Sequence, residues 1–189
     1  KFIDPELEKQ FRRAVAIDPS LIESHMNIGA ITLSFRDYKN SEQAFKTVLG
    51  SDRATQQMKV DATVGLGVAL RGQRKFKAAL AEYEKAQKLD PSNTGIAYNI
   101  GILIQDYLFD ASNPDAAIAT LQRALGYLQK YNSSKHRKRR KDCKRRIKNI
   151  KQMIPMLREQ KKMMAEMKKM QAAEKKAADK KPAPQPPKK

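Results

Sequence analysis

The residues whose types could support covalent chemistry are one cysteine and two histidines in a chain of 189 residues. Cys143 lies in the basic run SSKHRKRRKDCKRR, whose cations would lower the pKa of an exposed thiol and make it reactive. His136 lies in the same run, and His25 occupies a packing position of a predicted helix. Because no base is spaced to activate the thiol, we expect Cys143 to be incidental and His25 to be structural.

Three aspartates, Asp106, Asp110 and Asp115, surround the segment DYLFDASNPD. Their spacing matches no metal-binding loop, and Asn113-Pro114 is typical of a turn. The eight glycines form no phosphate-binding loop. The sequence therefore predicts a protein that is not an enzyme, with no catalytic residues, no metal, no cofactor and no small-molecule substrate.

Charge is distributed unevenly along the chain. Residues 1–130 contain 17 Lys and Arg against 15 Asp and Glu, whereas residues 131–189 contain 22 against 5. A nearly neutral body followed by a strongly basic segment predicts contact with an anionic partner such as nucleic acid, lipid headgroups, an anionic polymer or an acidic protein.

The basic run supplies the candidate anion contacts. It has no interleaved aromatic, Asn or Gln side chains, so any nucleic-acid binding would be nonspecific. A nuclear localisation signal, an anionic polymer, lipid or acidic protein contact, and a solvated helix start stay open as alternatives. The candidate contacts are Lys135, Arg137, Lys138, Arg139, Arg140, Lys141, Lys144, Arg145 and Arg146.

A period of about 34 residues organises the body. In residues 64–93, Gly67 is followed by Ala79, Tyr83, Ala86 and Pro91 at the spacing of a tetratricopeptide repeat, TPR. The pattern recurs from Gly29 and from Gly101, and it departs from the family consensus at Ser41, at Arg53 and in the loop at 109–115. The body therefore resembles the TPR family, which implies an all-α solenoid of stacked helical hairpins.

The repeat divides the chain into four regions. Residues 1–21 are predicted to be the second helix of a truncated repeat, so we expect the native protein to continue N-terminally. Residues 22–55, 60–93 and 94–131 are predicted to be three TPR units. Residues 132–178 are predicted to form a basic amphipathic helix with a kink or break near Pro155, and residues 179–189 a Pro- and Lys-rich disordered tail.

The resemblance to the TPR family implies a concave groove lined by the first helix of each repeat. Its apolar centre favours a peptide or helix of a partner protein, although the same residues could pack against the C-terminal helix. The lysines of the chaperone-type carboxylate clamp are absent from these positions. The implied groove residues are Met26, Asn27, Ala30, Val64, Val68, Arg71, Tyr98, Asn99, Ile102 and Gln105.

The basic helix contains two apolar stripes. Ile147, Ile150, Ile154 and Leu157 have amphipathic spacing and are predicted to cap the last repeat, with Ser133 or Ser134 as the N-cap. Farther along, Met163, Met164, Met167 and Met170 form a second stripe. It favours a partner-binding helix or a marginal helix that extends into solvent over a helix on a membrane surface, because it has no bulky aromatic anchors. No apolar run is long enough to span a membrane.

The runs LGVALRG and NIGILIQDY resemble periplasmic TPR lipoproteins of gliding and social deltaproteobacteria, including the gliding-motility TPR lipoprotein of myxobacteria. That resemblance implies an interaction scaffold in a cell-envelope motility complex, in the periplasm or at the outer membrane. The alternative is a cytosolic or nuclear TPR adaptor whose basic segment binds RNA or an acidic protein.

Overall fold

The computed structural model describes residues 5–18, 20–135 and 138–179, and every regular element in these ranges is helical. Helices α2 to α7 form three successive hairpins, with α1 packed before them and α8 after them. The bounds are α1 Pro5–Ile17, α2 Ile22–Ser34, α3 Tyr38–Leu49, α4 Gln56–Gly72, α5 Phe76–Leu89, α6 Thr94–Leu103 with a π-helical turn at Ile104–Leu108, α7 Pro114–Asn132 and α8 Arg140–Asp179.

Close approach of the two helices defines each hairpin. A Cβ atom added at Gly67 would lie 2.6 Å from Cε1 of Tyr83, and one added at Gly29 would lie 2.7 Å from Cε1 of Phe45. Both aromatic rings are buried, so each glycine makes room for a large side chain of the opposing helix. This packing explains why glycine and an aromatic residue recur sixteen positions apart.

The turns inside the first two hairpins have the same left-handed geometry. Arg36 and Arg74 both have φ of 63°. The next residue, Asp37 or Lys75, donates its backbone N–H to a carbonyl five residues back, over 2.8 and 2.9 Å respectively. Together with the i−3 bonds of the arginines, this is a Schellman motif, which satisfies the free carbonyls at the helix end.

At two of the positions that depart from the repeat consensus, the side chain makes a specific hydrogen bond. Ser41 is fully buried and donates its hydroxyl to the carbonyl of Gly29 over 2.9 Å, which joins the two helices of the first hairpin. Arg53, in place of the closing proline, donates from Nη1 to Oγ of Ser20 over 2.6 Å. At both positions the residue that departs from the consensus therefore contributes a polar contact between helices or turns.

The third hairpin is longer than the first two. Its first helix continues through the π-helical turn, and Asn113 then caps α7 by accepting a bond from the N–H of Ala116 over 3.2 Å. This confirms Asn113-Pro114 as turn chemistry. Because of the added length, the side chain that packs against Gly101 is that of Leu128. Leu121, the residue that the repeat spacing offers for this place, is nevertheless buried.

Helix α8 caps the array as predicted, but its bounds differ from those expected. Helix α7 continues to Asn132, so Ser133 is its C-cap rather than the N-cap of α8. The helix also does not break at Pro155, since α8 is continuous from Arg140 to Asp179, and the side chains of Ile154 and Leu157 on either side of the proline are buried. A kink there stays a prediction, and residues 180–189 of the predicted tail lie outside the described residues.

The N-terminal helix α1, for which the second-helix position of a truncated repeat stays a prediction, packs against α2. Its outer face is incomplete, since Ile17 is 86% exposed while Phe11 is half-buried. His25 lies at the junction of α1, α2 and α3 and lines a small cavity there with Arg12 and Ala44. This position fits the structural role expected for the histidine.

Candidate partner-binding groove

Two cavities lie side by side along the facing surfaces of α4 and α6. The first, of about 330 Å³, is lined by Val64 and Tyr98 and reaches the segment before α8. The second, of about 600 Å³, begins one helical turn farther along, at Val68 and Ile102. We call the surface formed by both cavities the α4–α6 groove.

The floor of the groove is apolar and its walls are mostly polar, with Ile96 and Phe76 as apolar exceptions. Val64 and Val68 are half-buried, whereas Tyr98 and Ile102 are buried. Polar side chains bound each cavity, so the groove offers apolar contact along its length with hydrogen-bonding groups at its sides. Besides the floor, the lining residues include Asp61, Asn93, Asn99, Tyr131, Lys138 and Arg139 in the first cavity and Tyr38, Arg71, Arg74, Phe76, Asp106 and Tyr107 in the second.

Six of the ten predicted groove residues therefore line the groove: Val64, Val68, Arg71, Tyr98, Asn99 and Ile102. Met26, Asn27 and Ala30 lie on α2, and none of them lines either cavity. Met26 packs against the core, while Asn27 and Ala30 are exposed. Gln105 is held by the C-terminal helix instead, because its Oε1 accepts a bond from Nη1 of Arg146 over 3.1 Å.

The start of α8 closes one side of the groove. The hydroxyl of Tyr98 donates to Oδ2 of Asp142 over 2.6 Å, and the ring of Tyr98 packs at 4.9 Å from that of Tyr131. The guanidinium carbon of Arg139 lies 5.2 Å from the centre of the Tyr98 ring, a cation–π distance. The chain's own C-terminal segment thus occupies the edge of the third repeat, while Val64 and Val68 stay half-buried.

Asp142 is the centre of a charge network that sequence reasoning missed. Its carboxylate accepts bonds from Arg145 over 2.5 Å and from Arg146 over 2.8 Å, in addition to the Tyr98 hydroxyl. Arg146 also bonds Oδ1 of Asp106 over 2.6 Å. The signal in the sequence was the single acidic residue of the basic run, Asp142, among nine cations. Neighbouring cations repel one another, and a carboxylate between them relieves that repulsion.

The network shifts the acidity of its members. Burial alone would raise the pKa of Asp142, but the bonds from Tyr98, Arg145 and Arg146 outweigh burial and hold that pKa well below its usual range. Burial and the bond to Asp142 raise the pKa of the Tyr98 hydroxyl. Burial opposes the charge of Arg146, yet its bonds to Asp106 and Asp142 raise its pKa further. The ion pairs are therefore charged throughout the neutral range.

The structure separates the predicted anion contacts into two groups. Arg139, Arg145 and Arg146 make the contacts given above, and Arg140 binds the carbonyls of Asn132 and Ser134 through Nη2. Four lysines are exposed and form no ion pair with any described residue. These are Lys135, Lys138, Lys141 and Lys144. Arg137, like His136, lies outside the described residues.

The thiol of Cys143 is not a reactive group in this fold. It is fully buried and donates to the carbonyl of Leu128 over 3.1 Å. Burial raises its pKa, and Asp142 raises it further, so the lowering expected for an exposed thiol among cations is wrong for the buried one. Within the described ranges no His, Cys, Asp and Glu side chains cluster in a way that could hold a metal ion.

Several groove residues could have been found by aligning the repeats more closely. Tyr38 and Phe76 begin the second helix of their hairpins, and the ring of Phe76 stacks on Tyr107 at 4.3 Å. Arg74 occupies the left-handed turn position that Arg36 occupies one repeat earlier. Their equivalent repeat positions were the signal, but only the folded hairpin brings them to the end of α4 and α6.

The stacked hairpins and capping helix define an all-α helical-repeat solenoid. Residues 32–94 match the family model described as tetratricopeptide repeat. The match covers 63 of the 189 residues, from the end of α2 to the start of α6. No curated protein matches the sequence, and none of the helices in the described ranges has the length and apolar character needed to cross a bilayer.

Solved structures with similar folds include two MamA structures. One, "MamA RS-1 ArsTM double mutant", is 18% identical, with a TM-score of 0.50 over 67% of each chain. The other, "Crystal structure of MamA", is 14% identical, with a TM-score of 0.51 over 84% of this chain and 89% of that chain. A third, "Crystal structure of YrrB: a TPR protein with an unusual peptide-binding site", is 17% identical, with a TM-score of 0.48 over 83% and 84%. At these identities the likeness describes the fold.

Proposed function

We propose that this protein is a non-enzymatic interaction scaffold of the TPR kind, which binds a segment of a partner protein in the α4–α6 groove. The observation that carries the proposal is the apolar floor formed by Val64 and Val68, which no element of the described chain covers completely. Apolar side chains of a bound segment would remove this floor from water, which is a principal source of free energy in helix-in-groove and peptide-in-groove recognition.

A site-specific photo-crosslinker tests the proposal in cells of the native source. The crosslinking residue replaces Val68 in one variant and Ala119 in the control, where Ala119 is exposed on α7. We expect a discrete crosslinked partner from position 68 and none from position 119, with the same circular dichroism for both variants. Equal crosslinking at the two positions would move the partner site away from the groove.

Substitution of the floor provides the complementary test. Val64→Glu with Val68→Glu places two carboxylates against any apolar segment. This variant should therefore no longer bind the partner that the crosslinking identified, while its helicity is retained. The matched control is Ala78→Glu with Ala81→Glu, because both alanines are exposed on α5. If the control also loses the partner, general charge rather than the groove decides binding.

The second half of α8 supports a further partner contact. Met156, Met163, Met167 and Met170 are exposed by 58–71% and lie on one face, because separations of seven, four and three residues return to the same side of a helix. This stripe faces away from the buried Ile154 and Leu157. We assign it to a helix of a partner protein packing in a coiled-coil manner.

Replacement of methionines with glutamine tests that contact. The variant Met163→Gln with Met170→Gln should weaken binding of the partner helix, while Gln160→Ala with Gln171→Ala, at exposed positions of the same helix segment, should leave it unchanged. Circular dichroism verifies that α8 stays helical in both. Undiminished binding by the methionine variant would assign the partner to the groove alone.

The finer setting of the scaffold rests on the resemblance of LGVALRG and NIGILIQDY to the envelope lipoproteins. From it we infer a component of a cell-envelope complex of the gliding-motility kind, in the periplasm or at the outer membrane. Fractionation of the native cells tests this placement. Recovery in a cytosolic or nuclear fraction would favour the adaptor alternative, with the exposed lysines before and within α8 as contacts to RNA or an acidic protein.

A further inference from the structure

Both ends of the α4–α6 groove carry cations. Arg71 and Arg74 line the second cavity, and Lys138 and Arg139 line the first. Among residues 5–18, 20–135 and 138–179, none of these four side chains forms an ion pair. The guanidinium of Arg139 lies at a cation–π distance from the ring of Tyr98.

The acidic groups that face the same ends do not neutralise these cations. At the second cavity Asp106 is bonded to Arg146 over 2.6 Å, so its charge is already matched. At the first cavity Asp61 accepts a bond from the neutral amide of Gln57 and faces two cations. Each end therefore has an excess of positive charge, and the apolar floor between them has none.

The distance between the two ends limits the length of a ligand. From Asp61 to Gly72 the groove follows eleven residues of α4, which is about 16 Å at 1.5 Å per residue. An extended peptide advances about 3.3 Å per residue, so about five residues span the groove. Aromatic side chains of Tyr38 and Phe76 border the second cavity, where a long side chain of the ligand would find apolar contact.

We infer that the groove binds an extended, acidic-ended peptide segment: about five residues with a carboxylate at each end and apolar side chains between. The inference rests on the proposed function and specifies the chemistry of its ligand. One terminal carboxylate lies against Arg71 and Arg74, and the other against Lys138 and Arg139. Charge-assisted hydrogen bonds at both ends fix the register, while the apolar middle covers the valines.

Selection from a peptide library tests the inference with the full chain. Random twelve-residue peptides displayed on phage are panned against the protein at moderate salt. We expect enrichment of sequences in which Asp or Glu residues flank three or four apolar residues. A synthetic peptide of the enriched sequence is then titrated by calorimetry against the wild type and its variants.

Paired substitutions assign the charges to the groove. Arg71→Ala with Arg74→Ala should weaken the peptide about tenfold or more, and Lys138→Ala should weaken it separately, as expected for loss of charge-assisted bonds. The control Lys77→Ala with Lys88→Ala removes two exposed cations of α5 that line neither cavity and should leave the affinity unchanged.

The outcomes separate the inference from the proposed function. Retention of apolar peptides without acidic ends would overturn the inference and leave the groove as a peptide site. Failure to retain any peptide would contradict both. Acidic peptides weakened equally by the groove and control variants would show attraction to the basic protein as a whole and would overturn the inference.

Discussion

The hydroxyl of Tyr98 on α6 donates a 2.6 Å hydrogen bond to Oδ2 of Asp142 in the first turn of α8. This bond joins the floor of the groove to the capping helix and so holds the start of α8 against the third repeat. The sequence left two readings of Tyr98 open, a partner contact or a contact with the C-terminal helix. The structure contains the second, and the cavity beside the ring leaves room for the first.

Removing that hydroxyl should loosen the start of α8. Tyr98→Phe deletes the bond to Asp142 without changing the ring, so we expect the free energy of unfolding to fall by about 1–2 kcal/mol. Amide exchange in residues 140–147 should accelerate. Tyr127→Phe is the control, since Tyr127 is half-buried in α7 and is expected to change neither quantity. Unchanged exchange in the Tyr98 variant would mean that other contacts fix the helix.

The two arginines on Asp142 should differ in their contribution to stability. The side chain of Arg146 is 18% exposed and also binds Asp106, whereas that of Arg145 is 68% exposed. Arg146→Ala leaves Asp106 without its cation and removes one of the two arginines that bind Asp142, so it should cost about 2–3 kcal/mol in urea denaturation. Arg145→Ala should cost about 0.5 kcal/mol or less. Equal effects would contradict the network described for α8.

Stability should fall at acid pH through Glu42. Bonds from Lys46, then Gln73, lower the pKa of Glu42 from 4.5 to about 2. Because the folded-state pKa lies below the unfolded one, this stabilisation is complete above pH 4.5 and is lost as the pH falls towards 2. Glu42→Gln should therefore reduce stability by about 1–2 kcal/mol at pH 7 and progressively less below pH 4.

Denaturation curves at pH 7 and pH 3 for wild type and variant measure that difference. The matched control is Glu82→Gln, because the side chains of Glu82 and Glu42 are both 15% exposed, while Glu82 pairs only with Lys85 of its own helix. Glu42 instead connects α3 to Gln73 and Lys75 in the next repeat. A pH-independent effect of Glu42→Gln would contradict the charge-based account.

Replacement of glycine with alanine should lower the free energy of unfolding at Gly67, in the second hairpin, and raise it at Gly126, in the third. Gly67→Ala places a Cβ 2.6 Å from the buried ring of Tyr83, and we expect a loss of about 1–3 kcal/mol from overpacking. Gly126→Ala meets no atom within 4 Å on the exposed face of α7 and should gain about 0.5–1 kcal/mol, because alanine has the higher helix propensity. Thermal melts monitored by circular dichroism measure both changes. A stabilising Gly67→Ala would refute close helix approach at that site.

The sequence by itself determined the local elements of this protein. Small residues that recur from Gly29, Gly67 and Gly101 at the spacing of the tetratricopeptide repeat predict stacked helical hairpins. The ends of α1 and α5 are followed by the same bond, since Asp18 accepts from the hydroxyl of Ser20 over 2.7 Å and Asp90 from that of Ser92 over 2.6 Å. These features lie within a single repeat, and each repeat contacts only its neighbours, so the same local pattern can be read again in each successive repeat.

Tertiary structure decided which side chains meet. Asp142 and Tyr98 are 44 residues apart, so no local pattern could show that they bond. The basic run reads as uniform charge, yet packing buries Cys143 and turns Arg146 inward to Asp106, while Lys138 faces the groove. Burial and pairing depend on the direction of α8 relative to α6 and α7, and that direction follows from the whole core.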